Sequence, residues 1–506
     1  MDKRSGLVML RAMSENTPHP EPLLQFINRQ QMCWRAVDVD QLIALQHPAR
    51  AIWELTGRLD LRAFYEGIGS SAAEGGRPAI DPRLLISLWV YAYSLGIGSA
   101  REVERRCEHD PAFQWLTGMA AVNHHTLADF RVQRGAQLEE LFTQLLGVLS
   151  AQGLITLEEV MQDGTKIRAQ ASGKTFHREP ALREHLERAR QQVAALRDPL
   201  AEPTGNRRQQ AARERAAREK QERLEQALQE LEKLREQKKG AEDKRQARAS
   251  TSDPQARVMK QSDGGFAPSY NAQISTDGKH GLIVAAEVTQ AGNDYHQLVP
   301  AAERIEAQWG RKPGRMVADA GYTSGDNLQE MADRGIDYLG SLADDGAKAR
   351  RDQPRIPAAR FTYQVQEDCF RCPAGQTLRY QGRHERGGMV HYKYQAAAQD
   401  CAPCALRAEC CGGDQEHGRS VERKEETAAL AAFRARMASA DAQRVYRRRA
   451  QVAEFVHAWI KSKLGLRQFH VRGWSKVRTE LLWACFTYNL QQWIRLSRPP
   501  TLAPAG

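Results

Sequence analysis

Between residues 20 and 150 apolar positions recur at helical spacing, interrupted by short glycine turns. In "DPRLLISLWVYAYSLGIGSAREVERRCEHDPAFQWL" an apolar helix stops at Gly96-Ile97-Gly98. Ser99-Ala100-Arg101-Glu102 then has the spacing of a capping box and opens a basic helix. Asp110-Pro111 starts another. In "NHHTLADFRVQRG" Thr126 is the expected N-cap, with Asp129 three residues on and Arg131 and Arg134 exposed. Short helices, tight glycine turns and exposed arginines suit a helix-turn-helix-like DNA reader, although a plain bundle with a solvated basic face has the same pattern.

From Glu158 the period changes. "EEVMQDGTKIRAQAS" has a short apolar run, an expected turn at Asp163-Gly164-Thr165, then alternation. "YNAQISTDGKHGLIVAAEVTQ" reads as two strands around a hairpin turn at Thr276-Asp277-Gly278. The pattern then predicts a helix in "YHQLVPAAERIEAQW", a strand in "RMVADAGYTS", a helix in "GDNLQEMADRG" ended by Gly335, and a strand in "IDYLGSL". Hairpin strands followed by strands alternating with helices indicate an α/β layer with a mixed sheet. An interruption runs from Glu179 to Gln261. One helix there carries Leu182, Leu186 and Leu196, and a longer one Ala217, Leu224, Leu228, Leu231 and Leu234. Pro199, Pro203 and Gly205 break the rod between them, which predicts a charged antiparallel helical hairpin. Such a hairpin can lie along DNA, pair with a second protomer or serve as a solvated spacer.

At 506 residues the chain exceeds one core, and about two to four domains are expected. Its 41% hydrophobic and 27% charged residues describe a soluble globular protein. No run of 18 or more apolar residues exists, and the apolar run in "MDKRSGLVMLRAM" is too short for a signal peptide, so a cytoplasmic protein with no membrane partner is expected. The net charge of +11 favours a polyanionic partner such as nucleic acid. Of nine cysteines, Cys33, Cys107 and Cys485 stand alone and read as small buried hydrophobes. The rest cluster: Cys369-x-x-Cys372 and Cys401-x-x-Cys404, followed by Cys410 and Cys411. Paired CxxC knuckles offer thiolates for a structural Zn²⁺, and a cytosolic chain disfavours disulfides. Cys369, Cys372 and Cys404 are the expected ligands, and the fourth stays open among Cys401, Cys410 and Cys411.

Three acids stand out. Asp163 precedes Gly164-Thr165, Asp319 follows the apolar run Met316-Val317-Ala318, and Glu454 lies in a strongly helical stretch with Lys461 two turns along. A lone Asp-x-Gly is more often a turn cap. Acids brought together at strand ends, however, repel unless cations lie between them. Hard oxygen ligands suit two Mg²⁺ or Mn²⁺ ions, which can clamp the attacking and leaving oxygens of a phosphodiester.

The ordered set "HPARAIWELTGRLDLRAFYE…GRPAIDPRLLISLWVYAYSLGIGSAREVERRC", "DGTKIRAQAS", "DPQARVMK…YNAQIS", "VADAGYTS" and "AEFVHAWIKSKLGLRQFHVRGWSKVRTELLWACFTYNL" covers most of the chain. It resembles the DDE transposases of bacterial insertion sequences, of the IS1182-like group within the wider IS4/IS5-type families. The resemblance implies a multidomain α plus α/β protein. Its parts would be a helical N-terminal DNA-binding domain (20–150), an RNase H-like catalytic core (155–345 with 425–495), a helical-hairpin insertion (179–261) and a Cys-rich zinc-knuckle-like insertion (360–420). It implies Asp163, Asp319 and Glu454 as catalytic ligands of two Mg²⁺ or Mn²⁺ ions, with Lys461 beside them. Tyr446, Arg449 and Lys461 resemble the companions of the catalytic Glu, but Arg449 is one residue too far from Glu454, and Ala450 holds the expected place. Arg467, Arg472 and Lys476 are expected to hold DNA phosphates, and Trp459 or Trp474 either stacks on a displaced base or packs in the core. The implied partners are the element's terminal inverted repeats, target DNA and a second protomer, near the nucleoid. A nuclease that cuts without joining, or an inactive DNA-binding descendant, would share these features.

Overall fold

The computed structural model describes residues 30, 32, 36–69, 78–197, 206–342, 356–386, 389–411 and 417–497. Cys33, Pro199, Pro203 and Gly205 lie outside them.

Six strands make the central sheet: β1 (Glu159–Arg168), β2 (Arg257–Lys260), β3 (Phe266–Asp277), β4 (Ile283–Thr289), β5 (Arg315–Val317) and β6 (Asp337–Leu339). Their order is β4-β3-β1-β5-β6, with β2 beside β4 on the outer edge of β3. β1 runs antiparallel to β3 but parallel to β5, and β5 is parallel to β6. The β3–β4 hairpin turns where the Asp-Gly signal predicts. Asp277 holds that turn, its carboxylate accepting from the N–H groups of Thr156, Leu157 and Lys279.

One expectation fails at the first acid. Asp163-Gly164-Thr165 is not a turn: β1 continues through it, with Gly164 opposite Gln273. The glycine serves close approach. A Cβ there would stand 2.5 Å from both Asp294 Oδ1 and Gln273 Nε2.

The N-terminal helices are Pro48–Thr56, Pro82–Ser94, Ala100–His109, Pro111–Thr117, His124–Gln133 and Gly135–Ala151. Asp81, Ser99 and Asp110 cap three of them as side-chain acceptors. The helix His124–Gln133 starts earlier than expected. Asn123, an equally good cap, accepts from the N–H of His125 and leaves Thr126 inside the first turn.

These helices have no core of their own. The C-terminal helix Trp474–Ser497 buries Trp483, Cys485, Phe486, Tyr488 and Leu490 between them and β4, so helices and sheet share one apolar cluster. Cys107 and Cys485 are both buried in it, as small hydrophobes. At the seam, Glu480 is fully buried and accepts from the backbone N–H of His470 at 2.8 Å and from the Tyr93 hydroxyl at 3.2 Å. Arg131 completes this knot, bonding Gly98 O at 2.5 Å and lying over the Trp89 ring.

The expected hairpin forms from helices Glu179–Arg197 and Arg207–Glu236. Cross-pairs Arg190–Glu225 and Arg197–Glu214 make it antiparallel, and Leu182, Leu186, Leu224 and Leu231 give it a separate small core. Its base is the two-residue pairing of Phe176–His177 with Ala249–Ser250. Residues up to 261 do not all belong to it, because β2 is part of the central sheet.

The Cys-rich segment is a second, fully antiparallel sheet of β7 (Thr362–Gln364), β8 (Cys369–Arg371), β9 (Thr377–Arg386), β10 (Met389–Ala396) and β11 (Ser420–Glu426). Among the described residues no helix is long and apolar enough to cross a membrane.

Candidate active site

Parallel pairing of β1 with β5 matches Val160 to Met316 and Met161 to Val317. Continuing that register by two residues sets Asp163 beside Asp319. Met161, on the same face of β1 as Asp163, packs with Val317, Leu339 and Ala453 under the helix Ala440–Ala458. That face places Asp163 against the helix. Its Oδ2 lies 3.6 Å from Arg449 Nη1 and 3.6 Å from His457 Nε2.

The carboxylate is short of compensation. Burial pushes Asp163 up to about 6, Arg449 pulls the other way, and Asp319 and Asp294 push it further up. Burial holds His457 down at about 3, helped by Lys461 and Arg449, so the ring is neutral; its Nδ1 is buried without a hydrogen-bond partner. Asp319 follows the strand as the cap of the turn Ala320–Tyr322, its Oδ1 accepting from the N–H of Gly321 at 2.8 Å.

Asp294 is the acid that periodicity does not reveal, since it lies in the polar loop "AGNDYH". Its Oδ1 accepts from Asn271 Nδ2 at 2.7 Å and Gln273 Nε2 at 2.6 Å. Gln273 is itself held by Tyr322 and Gln162, and Gln162 by Ser275. The only hint in the sequence is the polar alternation Asn271, Gln273, Ser275 in a strand that buries all three.

The third expected acid is elsewhere. Glu454 is exposed on the helix, with no described hydrogen bond or ion pair. The face turned to the sheet belongs to Ala453, Val456 and His457, which are buried. Arg449, one residue out of the expected spacing, takes the place beside Asp163. Tyr446 bonds Ser341 at 2.9 Å.

Lys461 lies in a π-helical turn, Trp459–Lys463, that continues this helix. Burial pulls its amine below the ordinary lysine range, with Arg467 and Lys166 adding and Asp163 opposing. The segment after it pairs with the end of β1, the N–H of Phe469 donating to Arg168 O. Arg467, Arg472 and Lys476 are exposed beyond the end of β1, Arg472 bonding Gln170 O. Both tryptophans are anchored through their indole N–H groups, Trp459 to Gln491 and Trp474 to Val288 O.

Arg131 and Arg134 are not a DNA-reading pair. Arg131 is 5% exposed and faces Glu480 at 3.5 Å, because its helix turns it into the seam. Arg134 ends that helix, half-buried, and bonds Glu66 O.

In the second sheet Cys372, Cys401, Cys404, Cys410 and Cys411 line one cavity of ≈ 20 Å³, room for a single water or ion. Burial raises the Cys410 and Cys411 thiols, the latter to about 11, and neighbouring cysteines add to it. Cys369 stands apart: the extended strand turns its Sγ to Glu367.

Two segments of the chain match family models. Residues 371–494 match a transposase DDE domain, and residues 37–133 match a transposase domain. Both matches are to transposases. The first takes in β9 to β11, the cysteines from Cys372 on, Glu454 and Lys461, and the second the N-terminal helices up to His124–Gln133. A solved structure, the piggyBac transposase synaptic complex with hairpin DNA, matches at 6% identity over 90% of this chain and 82% of that chain, with a TM-score of 0.23, too low to bear on the fold. No curated protein matches.

Proposed function

We propose that this chain is a DNA transposase that cuts and joins DNA at the ends of an insertion sequence, using Asp163 and Asp319 as ligands for divalent cations. The register that sets these two acids side by side carries the reading. The transposase-domain matches on either side of the acid-bearing sheet support it. The strand order β4-β3-β1-β5-β6, three antiparallel strands then two parallel ones, supports an RNase H-like core.

The residues fit a hard divalent ion. Burial and the neighbouring Asp319 already disfavour charge on Asp163, and a cation held between the two carboxylates would relieve it. Bound there, Mg²⁺ or Mn²⁺ would supply an activated water and stabilise charge on the phosphodiester. The chain itself would orient the DNA: Lys461, Arg467, Arg472 and Lys476 can hold phosphates along the β1 edge, a salt-sensitive contribution. The Gln162–Gln273–Tyr322 network fixes Asp294 at the rim. Five cysteines line one small cavity, thiols of the kind a structural Zn²⁺ takes once they converge, with Cys369 left out. Synapsis of two inverted repeats by a homodimer belongs to the same reading.

A second reading has its own observation. Glu454 is exposed on its helix while Arg449 takes the place beside Asp163, as in a DNA-binding descendant that no longer cuts. Excision and joining of a marked element bounded by the gene's own flanking repeats separates the two. Activity with Mg²⁺ that disappears with chelator and in Asp319→Asn supports the transposase. Binding of the ends without cleavage supports the descendant, and cleavage that survives Asp319→Asn removes Asp319 from the site.

A further inference from the structure

The hairpin of β9 and β10 carries a polar cluster at the end far from the cysteines. His384 and His391 are directly opposite in the ladder, their rings stacked with centroids 5.0 Å apart and planes at 19°. Glu422, on β11, is the diagonal neighbour of His391 on the same face, through the pairs His391–Lys424 and Lys393–Glu422. His391 Nδ1 lies 2.9 Å from Glu422 Oε2. One ligand atom from each of the three residues lies within 4.8 Å of the others, and among the described residues no other His, Cys, Asp or Glu group does so.

We propose that His384, His391 and Glu422 bind a borderline divalent transition-metal ion of the Zn²⁺ class, which staples the three strands together. Two imidazoles and a carboxylate are the donor set such ions prefer, with a fourth position left for water. Ligands ~2.0–2.2 Å from a tetrahedral ion lie ~3.3–3.6 Å from one another, so a small rotation of the exposed His384 and Glu422 side chains closes the set.

The fold gives the staple a purpose. The small core of this sheet gathers Phe361, Phe370, Leu378, Tyr394, Val421 and the buried cysteines at one end. None of its members lies on the ladder from His384 to His391; there Met389 of β10 packs instead against the main core, so an ion would tie β9 and β11 to a strand that is already anchored. Lys393 and Lys424 flank the cluster, so affinity is expected to fall short of that of a thiolate site.

Zinc titration of the reduced, metal-free full chain tests this, with binding read by calorimetry. His384→Gln and Glu422→Gln should each lose one equivalent that the wild type binds. The double variant C401S/C404S should keep that equivalent. Co²⁺ added to the double variant should give ligand-field bands with no thiolate charge transfer, and His384→Gln in that background should abolish them. His384 is exposed, so its replacement leaves the fold intact, as circular dichroism will confirm. Equal zinc stoichiometry in His384→Gln and wild type, or loss of all zinc in C401S/C404S, overturns the proposal.

Discussion

Asp163 shows at the scale of one residue how a site is held at a cost to stability. Its carboxyl is raised to about 6 from the ordinary 3.8, so the folded chain binds that proton more tightly than the unfolded chain does. Stability from this group is therefore highest below pH 3.8 and is lost as pH rises toward 6. Asp163→Asn should be more stable than the wild type by about 1–3 kcal/mol at pH 7.5 in chelator, since each tenfold gain in proton affinity on folding is worth ~1.36 kcal/mol, and about equal to it at pH 4. Denaturant melts at the two pH values measure this, and a variant less stable at pH 7.5 refutes it. Gly164 is the second such residue. In Gly164→Ala the new Cβ would meet Asp294 and Gln273, neither free to retreat, so we expect a loss of ~1–3 kcal/mol and of DNA cleavage together. Cleavage at the wild-type level would remove Asp294 from any part in the site.

At the scale of elements, the seam of the helix His124–Gln133 with Trp474–Ser497 turns on one ion pair. Arg131 and Glu480 are both buried, so Arg131→Ala leaves a charge without its partner and should cost about 3–5 kcal/mol. Its effect on DNA affinity, once the variant is folded, should be small, and the salt dependence of binding should not change. A reduced salt slope with unchanged stability would restore Arg131 as a phosphate contact. Arg472→Ala should show the opposite pattern, with stability kept and the slope reduced by about one.

At the scale of the molecule, the shared core predicts that residues 152–497 do not fold alone. Without the N-terminal helices the C-terminal helix would expose one flank of Trp483, Phe486 and the aliphatic residues around them. Expression of that fragment should yield aggregate or a non-cooperative melt; a sharp two-state melt would show that the helices are an independent domain.

Period and punctuation already announce most elements. The helices stop at their glycines, the Asp277-Gly278 hairpin turns where its signal lies, and the leucines of residues 182–234 foretell the hairpin insertion, because these depend on neighbours in the chain. Local signals misread Asp163-Gly164, where a glycine that makes space looks like one that makes a turn. Asp294 is illegible for the same reason: nothing near it in the chain marks it, and only the β3 amides select it. The helix bearing Glu454 is plain in the sequence, yet which of its faces meets the sheet is set by packing of Ala453, Val456 and His457. Residue order thus settles the elements and the basic charge. Which carboxylates meet, which arginines are buried and which cysteine is left out emerge only in the folded chain, because they depend on strand register and helix rotation, quantities no local pattern encodes.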